Sequence, residues 1–315
     1  MVEKEYQIIR VAELYYKQGY SQQEISAMMG TSRPTISRLL NEAREKGIVK
    51  ISINTPVNIN YDLSTKIKKK FGLKDALVVN VSDDNEALAI SQVGYEAARL
   101  VTSLLKNDLI IGISFGKHVK HVIEAIPEID INNIKIVQMV GALGNGDPNT
   151  DGPELVINLA SRLNGEYRYI NSPAVVNDIN LKNSLLEHTQ IKSNLNLINK
   201  CDIAIHGIGS LDESNSSMKR SGYMDDNLRE KYKKDGAVGN ILGHLVNSDG
   251  QLVKESNHHT IGAPLDLLKN IEWSIGVATN VIKHTAVLAA IKGKHVNCLV
   301  VNYSLANKLL NETDS

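Results

Sequence analysis

The chain is poor in cysteine, balanced in charge and without a long apolar run. Only two Cys occur among 315 residues. Cys201 and Cys298 have neither CxxC spacing nor ligand-type neighbours, which excludes a disulfide scaffold and predicts two reduced, buried thiols. No stretch reaches the about 18 uncharged apolar residues of a membrane span. The charged N-terminus, MVEKEYQIIRVAELYY, lacks the apolar core and small-residue cleavage site of a signal peptide. A cytoplasmic protein without a membrane partner is therefore expected. With 35 Lys+Arg against 35 Asp+Glu, the chain cannot be one that coats nucleic acid indiscriminately, although an average can hide a local basic face. Its 42% hydrophobic content argues against disorder, and the length suits one or two domains.

The basic face lies near the start. Between Arg33 and Lys50 stand Arg33, Arg38, Arg44, Lys46 and Lys50 against only Glu42 and Glu45. Around it the periodicity predicts three helices. Ile8, Val11, Ala12, Tyr15 and Tyr16 recur at helical spacing up to Gly19. Ser21 stands three residues before Glu24, a capping box for a helix buried through Ile25, Met28 and Met29. Beyond Gly30, Thr31 or Ser32 caps a third helix that tolerates Pro34 in its first turn and carries Ile36, Leu39, Leu40 and Ala43 as its apolar stripe. Residues 48–53 then read as a strand. This is the order of a winged helix-turn-helix. With the apolar stripe inward, Ser32, Arg33, Thr35, Ser37 and Arg38 project where a recognition helix meets base edges and phosphates of double-stranded DNA, and Lys46 and Lys50 add phosphate contacts. The competing reading is a helical hairpin for protein docking. Residues 1–56 form the DNA-binding domain, and 57–74, with Leu63, Ile67 and Phe71 at spacing four, a linker helix.

From residue 75 to 315, short apolar runs alternate with amphipathic helices. Strands are predicted at Ala76 to Val81, Leu109 to Ser114, Ile134 to Val140, Glu166 to Ile170, Asp202 to Gly207, Trp273 to Ala278 and Asn297 to Val301. Helices fall between them, including one continuous helix from Leu181 to Asn199. Such alternation implies a Rossmann-like α/β domain with a mostly parallel sheet, whose ligands bind at the carboxyl ends of the strands. Four glycine clusters are expected there: Gly112 to Gly116, Gly141 to Gly152, Gly207 to Gly209 and Gly236 to Gly243. Glycine admits close backbone approach and helix N-termini attract anions, so the clusters mark a small-molecule pocket.

Several chemistries compete for that pocket. GISFG matches the GxSxG nucleophile elbow at Ser114, and Asp202 or Asp249 followed by His258 or His259 completes the hydrolase order on paper; an HGGG-type oxyanion segment is missing. Lys283 reads equally as an anion partner and as a solvated lysine. His118, His206 and His244 adjoin glycine loops, which suits pocket-lining and packed histidines alike. The adjacent His258 and His259 do not have metal-ligand spacing, so neither metal nor cofactor is expected. A sugar-phosphate isomerase or lactonase that has gained a helix-turn-helix is the enzyme alternative.

The segment YYKQGYSQQEISAMMGTSRPTISRLLNEAREKGIVKISIN resembles the DNA-binding domain of the SorC family of bacterial sugar-responsive transcriptional regulators. IIGISFGKHV, GIGSL, GAVGNILGHLVNSDGQLV, TIGAPLDLLK and IGVATNVIKHTAVLAAIKGKHVNCLVVN resemble that family's effector domain, in the same order. The resemblance implies a sugar-isomerase-like effector domain, a sugar or sugar-phosphate ligand, a homo-oligomer (dimer or tetramer) and no catalysis. Lys283 stands where the family holds the effector's phosphate, whereas Thr279 and Asn280 replace a Gly-Gly pair found in many members. The effector-binding candidates are Ser114, Gly116, Lys117, His118, Gly141, Ala142, Asp151, Gly207, Gly209, Asn240 and Lys283.

Overall fold

The computed structural model describes residues 2–49, 59–145, 147–213, 216–253 and 258–311. The chain divides into two compact units, Met1–Pro56 and Val57–Ser315. The first contains three helices: α1 (Val2–Tyr16), α2 (Gln22–Met28) and α3 (Arg33–Glu45). Ser21 and Glu24 form the reciprocal box, with the Glu24 amide donating to Ser21 Oγ at 3.3 Å and the Ser21 amide to Glu24 Oε2 at 2.8 Å. Ser32 rather than Thr31 caps α3, its Oγ accepting from the Thr35 amide. Ile8, Val11, Ala12, Ile25, Ile36, Leu39, Leu40 and Ala43 make the core. The expected inner side of α2 needs correction: Met28 is 57% exposed and Met29 only half-buried, because a seven-residue helix turns little more than Ile25 into a core already filled by α1 and α3. Residues 50–53 of the expected strand lie outside the described residues, and Ile48 and Val49 belong to no strand.

The second unit runs α4 (Tyr61–Phe71), β1 (Asp75–Val79), α5 (Glu86–Leu104), β2 (Ile110–Ile113), α6 (Lys117–Ala125), β3 (Lys135–Gln138), α7 (Gly152–Arg162), β4 (Glu166–Arg168), β5 (Val175–Val176), α8 (Ile179–Glu187), α9 (Thr189–Ile198) and β6 (Ile203–Ser210). It continues through α10 (Ser217–Arg220), α11 (Asp226–Lys234), β7 (Gly239–Ile241), β8 (His244–Val246), β9 (His259–Thr260), β10 (Trp273–Ala278), α12 (His284–Lys292), β11 (Cys298–Asn302) and α13 (Tyr303–Asn311). Seven strands pair in parallel in the order β1-β11-β10-β6-β2-β3-β4.

Strand alternation splits the apolar residues between two faces. Ile203 and Ile205 of β6 join Ile275 and Val277 of β10 under α5, α6 and α7, whereas Ala204 and Ala278 face the side of α4, α12 and α13. The helix of the 57–74 segment, read as a linker, is seated by Leu63 and Ile67 in that second layer. Both cysteines are free and buried, and burial pushes their thiols up.

Two elements differ from expectation. The helix predicted from Leu181 to Asn199 breaks at His188 (ψ 130°), so α8 and α9 are two separate helices. Gly207 and Gly209 lie within a strand, and Gly236 to Gly243 runs into a β-hairpin, not a helix start. The reason is that β6 outruns the parallel sheet and pairs its last residues antiparallel with β7, Gly209 opposite Asn240.

Candidate functional site

At the carboxyl ends of β2, β6 and β10 the sheet opens into a narrow cleft of about 60 Å³. Three chain reversals build it. After β2, Ser114 and Phe115 lead to Gly116, whose φ of 109° and ψ of 167° suit only a residue without Cβ. Among the described residues no side chain caps α6, so its first-turn amides and the positive end of its dipole stand at the cleft. Gly207, the last parallel-paired residue of β6, and Gly209 beyond it line the floor; a Cβ at Gly209 would collide with the Asn240 amide that rests on it.

After β10, Thr279 and Asn280 turn the chain into Lys283 and α12. Asn280 holds a φ of 79° and a ψ of 129°, a backbone state that costs side-chain-bearing residues on the order of 1–3 kcal/mol. A clamp keeps it there. The Asn280 amide donates to Asn302 Oδ1, Asn302 Nδ2 to Asp83 Oδ1, and the Val281 amide to Asp83 Oδ2.

The floor carries one buried cation. Lys283 is 7% exposed and its Nζ lies 3.2 Å from Glu213 Oε2, which decides against a solvated lysine. Beside it, His118 Nε2 and Thr279 Oγ1 share a hydrogen bond of 2.9 Å. Burial first, and then the charge of Lys283, holds His118 well below the usual imidazole range, leaving the ring neutral near pH 7. Lys117 faces Glu86 at 3.8 Å, and Arg220 Nη2 donates to Ser217 Oγ at 3.0 Å.

Of the effector-binding candidates, Ser114, Gly116, Lys117, His118, Gly207, Gly209, Asn240 and Lys283 line this cleft. Gly141, Ala142 and Asp151 do not. The Gly141 amide donates to Ile261 O, Ala142 bridges to Pro173, and Asp151 accepts from the amides of Leu143, Gly144 and Gly152, so this loop is tied down by its own carboxylate. It reaches the cleft indirectly, through the Gly116 amide donating to Thr150 O. Glu86, Glu213, Ser216, Ser217, Thr279 and Asn280 were absent from that candidate set. Nothing in the polar run LDESNSS singles out Glu213; only the fold brings it to Lys283.

The hydrolase reading fails on geometry. Ser114 Oγ donates to Phe115 O, Asp202 accepts from the Ile110 amide, and His258 Nε2 bonds Gly243 O, so the three groups never converge. His206, buried, and His244, half-buried, lie away from the cleft, bonded to Ser274 Oγ and Ala263 O. Among the described residues no cluster of His, Cys, Asp and Glu could hold a metal ion, and no helix is long and apolar enough to cross a membrane.

On the first unit, Arg33 and Arg38 are exposed and their side chains make no hydrogen bond or ion pair among the described residues, while Thr35 and Ser37 are half-buried. Ser32 is exposed but holds Thr35 Oγ1 at 2.8 Å. Lys46 pairs with Glu42 at 3.2 Å, and Arg44 donates to Tyr16 Oη, tying α3 to α1. Lys50 lies outside the described residues.

Residues 55–311 match the family described as "Putative sugar-binding domain", and residues 12–60 a Crp-like helix-turn-helix domain. The chain is 31% identical to the sorbitol operon regulator of Klebsiella pneumoniae, over 96% of this chain and 97% of that protein. It is 28% identical to the deoxyribonucleoside regulator of Bacillus subtilis (strain 168), over 98% and 99% of the two chains. The crystal structure of the full-length Klebsiella pneumoniae sorbitol operon regulator SorC superposes with a TM-score of 0.75 at 30% identity, covering 97% of this chain and 98% of that one. With a helix-turn-helix unit joined to a sugar-binding unit along nearly its whole length, the chain belongs to the SorC family of transcriptional regulators.

Proposed function

We propose that this protein is a cytoplasmic, sequence-specific DNA-binding regulator of a sugar or polyol utilisation operon, acting as a dimer or tetramer and switched by a sugar or sugar phosphate in the cleft. The observation that carries the reading is the buried Lys283 beneath a floor of glycines, hydroxyls and an amide, in a chain that also exposes Arg33 and Arg38 on a capped helix. Hydroxyl and amide groups at Ser114, Ser216, Thr279 and Asn240 suit the alternating donors and acceptors of a polyol. The α6 amides and Lys283 suit an attached phosphate, with Glu213 released from the lysine or turned to a sugar hydroxyl.

Ser32, Arg33, Thr35, Ser37 and Arg38 read or clamp the operator, with Lys46 and Lys50 adding phosphate contacts. A bidentate base contact is worth about 1–3 kcal/mol of discrimination, so one unit alone selects weakly and pairing of copies supplies the rest. The effector acts by binding one conformation better than the other. The loops 141–152 and 220–226 are the elements it reorders: Leu143 and Met224 pack with Phe115, one residue before Gly116. We take the cleft as non-catalytic, because Glu213 is engaged with Lys283 and His118 with Thr279.

A thermal-shift screen of sorbitol, sorbose and their phosphates tests this. At 100 times its dissociation constant an effector should stabilise the protein by about 2.7 kcal/mol. The same compound should change operator affinity in gel-shift assays, and Lys283→Ala should abolish the response to phosphorylated ligands. Turnover of a sugar phosphate by the purified protein, or an operator affinity indifferent to every stabilising ligand, would refute the reading.

A further inference from the structure

The two edges of the sheet are treated differently. At β1 the chain covers its own edge: the Asn60 amide donates to Val78 O at 2.8 Å and Ile59 bridges antiparallel to Val79. At β4 all three residues are exposed. The Glu166 amide donates inward to Ile134 O, so strand alternation turns the N–H and C=O of Tyr167 to the open side. Tyr167 O is met by the guanidinium of its own neighbour, Arg168, at 2.8 Å. An open edge of this kind pairs readily with another strand.

The flanks of this edge are apolar. Ile157 of α7, Tyr167 and Tyr169 beside β4, and Ile179 and Leu181 of α8 are 37–47% exposed. The two tyrosine rings stack at 6.3 Å along a groove closed on its other side by Leu185 and Ile191. Moreover, α8 has nine residues and buries none of them. Leu185 and Leu186 pack it against the main core, whereas Ile179 and Leu181 stand uncovered, and a helix so short depends on packing for its stability.

We infer that β4 is a homotypic interface, at which a second copy adds its own β4 antiparallel about a two-fold axis through Tyr167, with α8 of each copy covering the flank. Charge order identifies the occupant. Glu166 and Arg168 lie side by side, with Nη2 of the arginine 3.3 Å from Oε2 of the glutamate. Antiparallel pairing about Tyr167 sets each Glu166 opposite Arg168 of the partner subunit, and the two central tyrosines against each other. An identical strand meets that pattern by symmetry alone, whereas an unrelated partner has no reason to. The inference rests on the homo-oligomer proposed above and assigns it a face.

Sedimentation velocity of the full chain tests it without any effector. Glu166→Arg sets Arg against Arg and Arg168→Glu sets Glu against Glu, so each variant should lower the association constant roughly tenfold or more and halve the particle mass. An equimolar mixture of the two variants should restore the wild-type mass, because an all-basic edge then meets an all-acidic one; a variant that had merely misfolded could not be rescued so. Variants that keep the wild-type mass would place the interface elsewhere and overturn the inference. A monomeric wild-type chain, or a mixture that stays dissociated, would overturn it too, while the ligand reading of the cleft stands or falls by the thermal-shift screen.

Discussion

Asn280 shows how much one residue of the floor contributes. Its left-handed φ and extended ψ are tolerated because Asn302 and Asp83 hold the turn and its own Oδ1 accepts from the Ile282 amide. Glycine takes this conformation without strain. Asn280→Gly should therefore raise stability by about 1 kcal/mol, strain relief outweighing the lost cap. Chemical denaturation checks it; a destabilised variant would show that the cap matters more. Two desolvated histidines make a second residue-scale prediction. Burial lowers His206 and His244 to about 4. An unfolded chain takes up their protons near pH 6.5 and the folded one does not, so stability is complete above about 6.5 and falls as pH drops toward 4. Each group should cost about 3 kcal/mol by the end of that window. Urea midpoints measured from pH 7 to 4.5 should decline steadily, and a flat profile would contradict the burial of these rings.

At the scale of the element, α3 depends on its first turn. Ser32→Ala removes the oxygen that accepts from the Thr35 amide and should cost about 1 kcal/mol. It should weaken operator binding as well, because Arg33 and Arg38 are presented from the first two turns of that helix; thermal melting and gel shift on the same variant check both. Much at this scale was legible from residue order. Capping boxes, helix-stopping glycines and apolar periodicity act over a few residues, so β10 (Trp273–Ala278) falls at the predicted bounds. Elements misread locally were decided by distant partners. The β6 extension exists because β7 pairs with it, and the α8–α9 break at His188 carries no glycine or proline to announce it. Likewise Gly141 and Ala142 looked like ligand-binding backbone, yet their close neighbours are Pro173 and Ile261 from remote stretches of chain.

For the whole molecule, the two units divide the labour. Arg33→Ala and Arg38→Ala should each weaken operator binding by about 1–3 kcal/mol if the arginine reads a base, leaving the response of the Val57–Ser315 unit to effector in thermal shift unchanged. Fluorescence anisotropy with operator and scrambled duplexes separates the cases: equal loss on both marks a phosphate contact. Unaltered binding by the double variant would instead favour the protein-docking hairpin.

The order of residues by itself determined the alternation of helix and strand, the apolar faces and the capped basic helix, since propensity, periodicity and capping operate between near neighbours. Only the tertiary structure decided which side chains share the cleft. Lys283 meets Glu213 and His118 meets Thr279, the latter pair 161 residues apart, because parallel strands bring remote turns to one edge of the sheet. That convergence depends on strand order, which no local pattern encodes.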